Sequence, residues 1–134
     1  MRILVATDGS ECSYEAARQL IKLIRSARHH ITAVHVMPSF NVGVDTAFIE
    51  SDMEREGIAV LNTVRHIFSS VAIDIETELL SGNPAEVIVQ TAHEGKYDLI
   101  VIGHAGQGDF REYMLGSVSK SVLQNAHCAV LVVK

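Results

Sequence analysis

Hydrophobic positions along the chain switch between two periods. Ile3 to Ala6 is a short unbroken apolar run, the pattern of a strand covered on both faces. From about Ser10 to Arg28 the apolar residues fall at 16/17, 20/21, 23/24 and 27, one stripe of a helix. Ile31 to Met37 is again β-rich, and Pro38 ends it before a loop with Asn41, Gly43 and Asp45. Met53, Ile58, Leu61, Val64 and Phe68 then mark a second helix, locally weakened by Gly57.

The second half repeats this rhythm. Val71, Ile73, Ile75, Thr77 and Leu79 alternate with more polar neighbours, predicting a strand over Val71 to Leu80 with one wetter face, at a sheet edge. Asn83-Pro84-Ala85-Glu86 starts a helix by three rules together. Asn83 can cap, Pro84 suits the first helical position, and Glu86 has capping-box spacing. Asp98 to Ile102 reads as another buried strand, followed by a segment carrying Gly103, Gly106 and Gly108. A short helix is expected from about Leu115 to Asn125, and Ala129 to Val133 as a last apolar strand.

Strands alternating with helices imply right-handed crossovers and a mostly parallel sheet with helices on both faces. No linker marks a second unit, so residues 1–134 read as one domain. A chain of 134 residues buries roughly two-thirds of its unfolded surface without metal or disulfide staples. With 48% apolar and 20% charged residues it is neither disordered nor low-complexity.

Charge narrows the partners. Eleven Lys and Arg against 16 Asp and Glu leave a net charge of −5 with no basic cluster, which argues against nucleic acid. A phosphate-bearing ligand would therefore need local geometry. The N-terminal apolar run turns polar at Thr7 and Asp8, too early for a signal-peptide core, and no stretch approaches a membrane span. Cys12 and Cys128 form neither a CxxC pair nor a disulfide framework, so a reduced cytoplasm is the expected setting.

In parallel sheets ligands bind beyond the carboxyl ends of the strands. Two loops there carry candidate chemistry. After the first strand, Gly9 permits a tight turn, Ser10 can cap a helix, and Asp8 reads in two ways. It either bonds nearby backbone amides or accepts hydrogen bonds from a ribose hydroxyl or base amine. After the fourth strand, Gly103, Gly106, Gly116 and Ser117 place small residues and a helix start where backbone amides can face an anion. The plainer reading of that segment is a crossover loop with a helix cap.

Other nucleotide motifs are absent. Lys120 does not follow a glycine, so the G-x-x-x-x-G-K-[ST] loop has no match, and Gly103, Gly106 and Gly108 read GxxGxG instead of GxGxxG. The histidines show no HxxxH or HExxH spacing, which disfavours zinc, and His35 at a strand end reads as a packed or hydrogen-bonded residue. No Ser/His/Asp spacing supports nucleophilic hydrolysis.

The pattern G-x2-G-x9-G-[ST], written by Gly103, Gly106, Gly116 and Ser117, resembles the nucleotide-loop signature of the universal stress protein family. Ile3 to Ser10, Ala33 to Val36, Gly82 to Glu86, Asp98 to Gly103, Leu115 to Val118 and Cys128 to Val133 match the family in order and spacing, so the resemblance covers almost the whole chain. It implies a three-layer α/β/α fold of adenine nucleotide alpha hydrolase-like type, with five parallel strands in the order 3-2-1-4-5. It also implies a homodimer through the last strand, Ala129 to Val133, and an ATP site.

Carried over by position, Ala6, Thr7 and Asp8 would border the adenosine, with Asp8 bonding base or ribose. Val36 would pack on the adenine, and Ile102 and Gly103 would line the ribose. Gly106, Gly116, Ser117 and Val118 would hold the phosphates by backbone amides and the Ser117 hydroxyl. Nucleotide would order the 103–116 segment and change the surface offered to a partner.

Three positions depart from the family pattern: His104, whose imidazole could face ligand or solvent, Gln107 in place of Arg or Lys, and Asp109. The two in the loop would lower affinity or favour a triphosphate bridged by Mg²⁺. Arg111 could reach a γ-phosphate, or stay solvated. The alternative to an ATP-binding stress-response module is a dimeric interaction protein of the same fold that binds no nucleotide. A third reading is an ATP hydrolase, slow at most, because no general base stands near the γ-phosphate position.

Overall fold

A computed structural model describes residues 1–24, 28–39, 47–106 and 115–134. The elements run β1 (Arg2–Ala6), α1 (Glu11–Leu23), β2 (His30–Met37), α2 (Ala47–Ser69), β3 (Glu76–Ser81), α3 (Pro84–Glu94), β4 (Leu99–Gly103), α4 (Ser117–Asn125) and β5 (Ala129–Val133). The five strands form one parallel sheet in the order β3-β2-β1-β4-β5, as the resemblance implies. β3 lies at an edge, as its polarity predicts. No helix among the described residues is long and apolar enough to cross a membrane.

Strand period two sorts the core into two layers. Ile3, Val5, Ile31, Ala33 and Val101 point to one face and meet Ala16, Ala17 and Leu20 of α1 and Leu61, Val64 and Phe68 of α2. Leu4, Ala6, Val34, Ile100 and Ile102 point to the other and meet Ala85, Ile88 and Ala92 of α3 and Val122 of α4. The one fully buried hydroxyl of β2, Thr32, accepts a 2.8 Å hydrogen bond from the Tyr97 hydroxyl, so neither group is left unsatisfied.

Caps behave as their residue types dictate. Asn83 Oδ1 accepts from the Glu86 amide with Pro84 in the first turn, and Ser10 Oγ accepts from the Ser13 amide. α1 stops at Leu23, short of the expected Arg28, and Ile24 is already extended. α4 starts at Ser117, two residues after the expected Leu115, because Gly116 is extended (φ −63°, ψ 160°) and serves as its cap.

β3 begins five residues later than Val71. The Phe68 carbonyl accepts from the Val71 and Ile73 amides, and Ala72 sits at φ 60°, so the chain turns there and cannot be extended. Ile73 and Ile75 still face the core, which is why their alternation mimics a strand. The α2 glycine, read as a weak point, is a contact. A Cβ on Gly57 would stand 2.5 Å from Leu79 Cδ1 and 2.9 Å from His35 Cδ2, so its missing side chain lets the helix settle on β2 and β3.

Candidate functional site

A cleft of about 430 Å³ opens beyond the carboxyl ends of β1, β2 and β4, within the size range of small-molecule sites. All ten residues expected to border a ligand line it: Ala6, Thr7, Asp8, Val36, Ile102, Gly103, Gly106, Gly116, Ser117 and Val118. They come together because β1 and β4 are neighbours at the centre of the sheet. Each strand releases a small-residue turn at its end.

The turn after β1 is held at several points. The Thr7 amide donates to Val34 O at 2.9 Å, and its hydroxyl pairs with Ser13 Oγ at 3.0 Å, buried against α1. Thr7 therefore spends its hydroxyl inside the fold. Gly9 adopts φ 83°, a left-handed turn open to glycine. Asp8 Oδ1 accepts from the Ser10 amide at 2.9 Å, the first of its two readings, and the exposed carboxylate lines the cleft.

Across the cleft, the two halves of the glycine pattern are drawn together by one carbonyl. His104 O accepts from the Gly116 amide at 2.7 Å and from Ser119 Oγ at 2.9 Å. A Cβ on Gly106 would lie 2.6 Å from Asp8 Oδ2, so this glycine leaves the space that the carboxylate fills. Gly103 performs the same service under α1, where a Cβ would come 2.8 Å from Cys12 O.

The Gly116 amide departs from its expected role. Its hydrogen bond to His104 O removes it from the donors available to a phosphate, leaving those of Ser117 and Val118 in the first helical turn, where no intrahelical acceptor exists. With φ −63° and ordinary contact distances of 3.4–3.5 Å around a built Cβ, Gly116 is not demanded by backbone strain either.

His104 turns from the cleft toward β5. Its amide donates to Val133 O at 2.8 Å, and its Nδ1 lies 3.3 Å from the same oxygen. Gln107, Asp109 and Arg111 lie outside the described residues, as do Asn41, Gly43, Asp45 and Gly108.

The sequence reading missed the far wall. Met53, Glu56 and Val60 of α2, with Pro38, Pro84, Ile88, Ser13 and His35, complete the cleft. The α2 trio is spaced i, i+3, i+7 on one helical face, a signal visible in sequence but indistinguishable from core packing. Elsewhere, His93 and His127, far apart in sequence, bring their rings to 4.4 Å between α3 and the end of α4. Among the described residues no group of three or more His, Cys, Asp or Glu side chains could hold a metal ion. Burial pushes the Cys128 thiol up, away from the reactive thiolate.

A parallel sheet in this order, with a glycine-lined cleft over its two central strands, defines a three-layer α/β protein of the adenine nucleotide alpha hydrolase-like class. The model of the universal stress protein family matches residues 1–134, and the chain belongs to that family. Universal stress protein MJ0531 of Methanocaldococcus jannaschii is 36% identical over 138 residues, covering 99% of this chain and 81% of the relative. Among solved structures, the hypothetical protein MJ0577 superposes with a TM-score of 0.87 at 24% identity, over 99% of this chain and 94% of the other. The universal stress protein from Archaeoglobus fulgidus in complex with dAMP superposes with a TM-score of 0.70 at 25% identity, over 100% and 98%.

Proposed function

We propose that this universal stress protein is a cytoplasmic, ATP-binding regulatory module that works as a homodimer. The observation that carries the reading is the convergence of Asp8, Gly106 and the first turn of α4 on one cleft. There a carboxylate can meet a ribose or base, and first-turn amides a phosphate. Val36 would supply an apolar wall for the base, and Ile102 with Gly103 the ribose side. The relative from Archaeoglobus fulgidus, solved with dAMP, supports an adenine nucleotide as the ligand class. With no group of three metal-ligating side chains among the described residues, Mg²⁺ would enter with the triphosphate and be held chiefly by its oxygens.

The test is direct. Protein purified without added ligand is denatured and the released nucleotide identified, then the emptied protein is titrated with ATP, ADP and AMP with and without Mg²⁺. ATP binding with Kd below about 0.1 mM is expected. A protein that releases no nucleotide and takes up none at millimolar ATP is instead the interaction module of the alternative reading. Conversion of bound ATP to ADP over repeated turnovers would establish a hydrolase.

The homodimer rests on β5, an edge strand of sequence Ala-Val-Leu-Val-Val with one unpaired side. Sedimentation velocity is expected to give twice the 14.6 kDa chain mass at micromolar concentration. A monomer under those conditions would remove the dimer.

A further inference from the structure

The β1–β2 ladder runs only as far as Ala6 opposite Val34. Beyond it β1 leaves the sheet to form the turn that carries Asp8, and the Thr7 carbonyl passes out of the ladder. A side chain meets it: His35 Nδ1 lies 2.8 Å from Thr7 O. A carbonyl oxygen only accepts, so the proton of this bond belongs to Nδ1. The neutral ring then carries its lone pair on Nε2.

The ring is fixed from behind. Gly57 of α2 lies so close that a Cβ there would stand 2.9 Å from His35 Cδ2 and 3.6 Å from Nε2. A side chain at 57 would crowd Leu79 and the imidazole, so one of them or the helix would have to shift. Besides lining the cleft directly with Met53, Glu56 and Val60, α2 thus meets the turn after β1 through Gly57 on the His35 ring and His35 on the Thr7 carbonyl, and that turn places Asp8 against Gly106.

We propose that His35 is a positioning residue, its Nδ1–H holding the Thr7 carbonyl so that Asp8 is presented to the cleft in one orientation. A packing role alone would need the ring's volume and be indifferent to which nitrogen bears the proton. The tether needs a donor at the Nδ1 position. Asparagine can place its amide nitrogen there, whereas leucine fills comparable space without a donor. The consequence for ligand affinity rests on the nucleotide reading above; the consequence for the turn does not.

The experiment has three readouts on the whole chain. In the ¹⁵N-labelled protein above the pH of imidazole titration, His35 is expected as the Nδ1–H tautomer; an Nε2–H tautomer overturns the proposal, and this needs no variant. His35→Leu is expected to speed amide exchange at Thr7 and Ser10 by about tenfold, the loss of one neutral hydrogen bond, and His35→Asn to stay within about threefold of the parent. Unchanged exchange in His35→Leu, or asparagine failing like leucine, overturns it. The same order should appear in ATP affinity, with leucine about tenfold weaker and asparagine near the parent. Parent-like affinity in His35→Leu again counts against the proposal. Should the parent itself take up no ATP, the nucleotide reading falls, while the tautomer and exchange results still decide the role of His35.

Discussion

Gly106→Ala is expected to weaken adenine-nucleotide binding by at least about tenfold while the melting temperature moves by only a few degrees. The added methyl would lie 2.6 Å from Asp8 Oδ2, closer than any real contact, so carboxylate or loop must move. The neighbour is the end of a side chain and the site is half-exposed, which keeps the cost to folding small. Asp8, however, is restrained by its bond to the Ser10 amide, and a shifted carboxylate loses its aim into the cleft. Calorimetric titration of parent and variant checks this. Equal affinities would detach Asp8 from the ligand altogether.

The largest stability effect is expected at the opposite end of the molecule. Among the described residues Phe68 is the largest fully buried side chain, at 0% exposure, where the last turn of α2 closes over the sheet. Phe68→Ala should cost about 3–5 kcal/mol, transfer and cavity terms together. Against a typical total of roughly 5–15 kcal/mol, that lowers the melting temperature by about 10 °C or more. Phe68 also anchors the turn into β3, since its carbonyl accepts the Val71 and Ile73 amides. Denaturant unfolding of both proteins measures the difference; a loss under about 1 kcal/mol would mean that the core refills the space.

The order of elements was legible because each central strand is an unbroken apolar run and each helix keeps its stripe. Ile3 to Ala6 and Asp98 to Ile102 read as buried strands, and the polar alternation within Val71 to Leu80 put the third strand at the edge, whereas the equally apolar β5 lies at the other edge. Boundaries were less legible where side chains face the core from a turn. Ile73 and Ile75 are apolar for burial, not pairing, so sequence could not separate them from a strand. Gly57 illustrates the converse. Its low helix propensity is real, but what selects it is the approach of His35 and Leu79, residues 22 positions away on either side, which no local pattern contains.

The lining of the cleft was legible, the use of each backbone group in it less so. The glycine spacing alone also suited a crossover loop with a helix cap; the family resemblance singled out Gly103, Gly106 and Gly116, and all three line the cleft. What each backbone group does there depends on partners across the fold. The Gly116 amide is taken by His104 O, and the His104 ring turns to β5. The α2 wall of Met53, Glu56 and Val60 depends on how the helix rolls over the sheet, a tertiary outcome.

The strand order leaves the sheet with two rims of opposite chemistry. β3 carries Glu76 and Glu78 along its border, whereas β5 offers only Ala, Val and Leu. Two chains joined β5 to β5 would use up the sticky rim of each and present carboxylates at both ends of the joint sheet. In the proposed assembly both free edges would be β3, whose Glu76 and Glu78 disfavour a further β3-to-β3 pairing, so it would not run on into a filament that way.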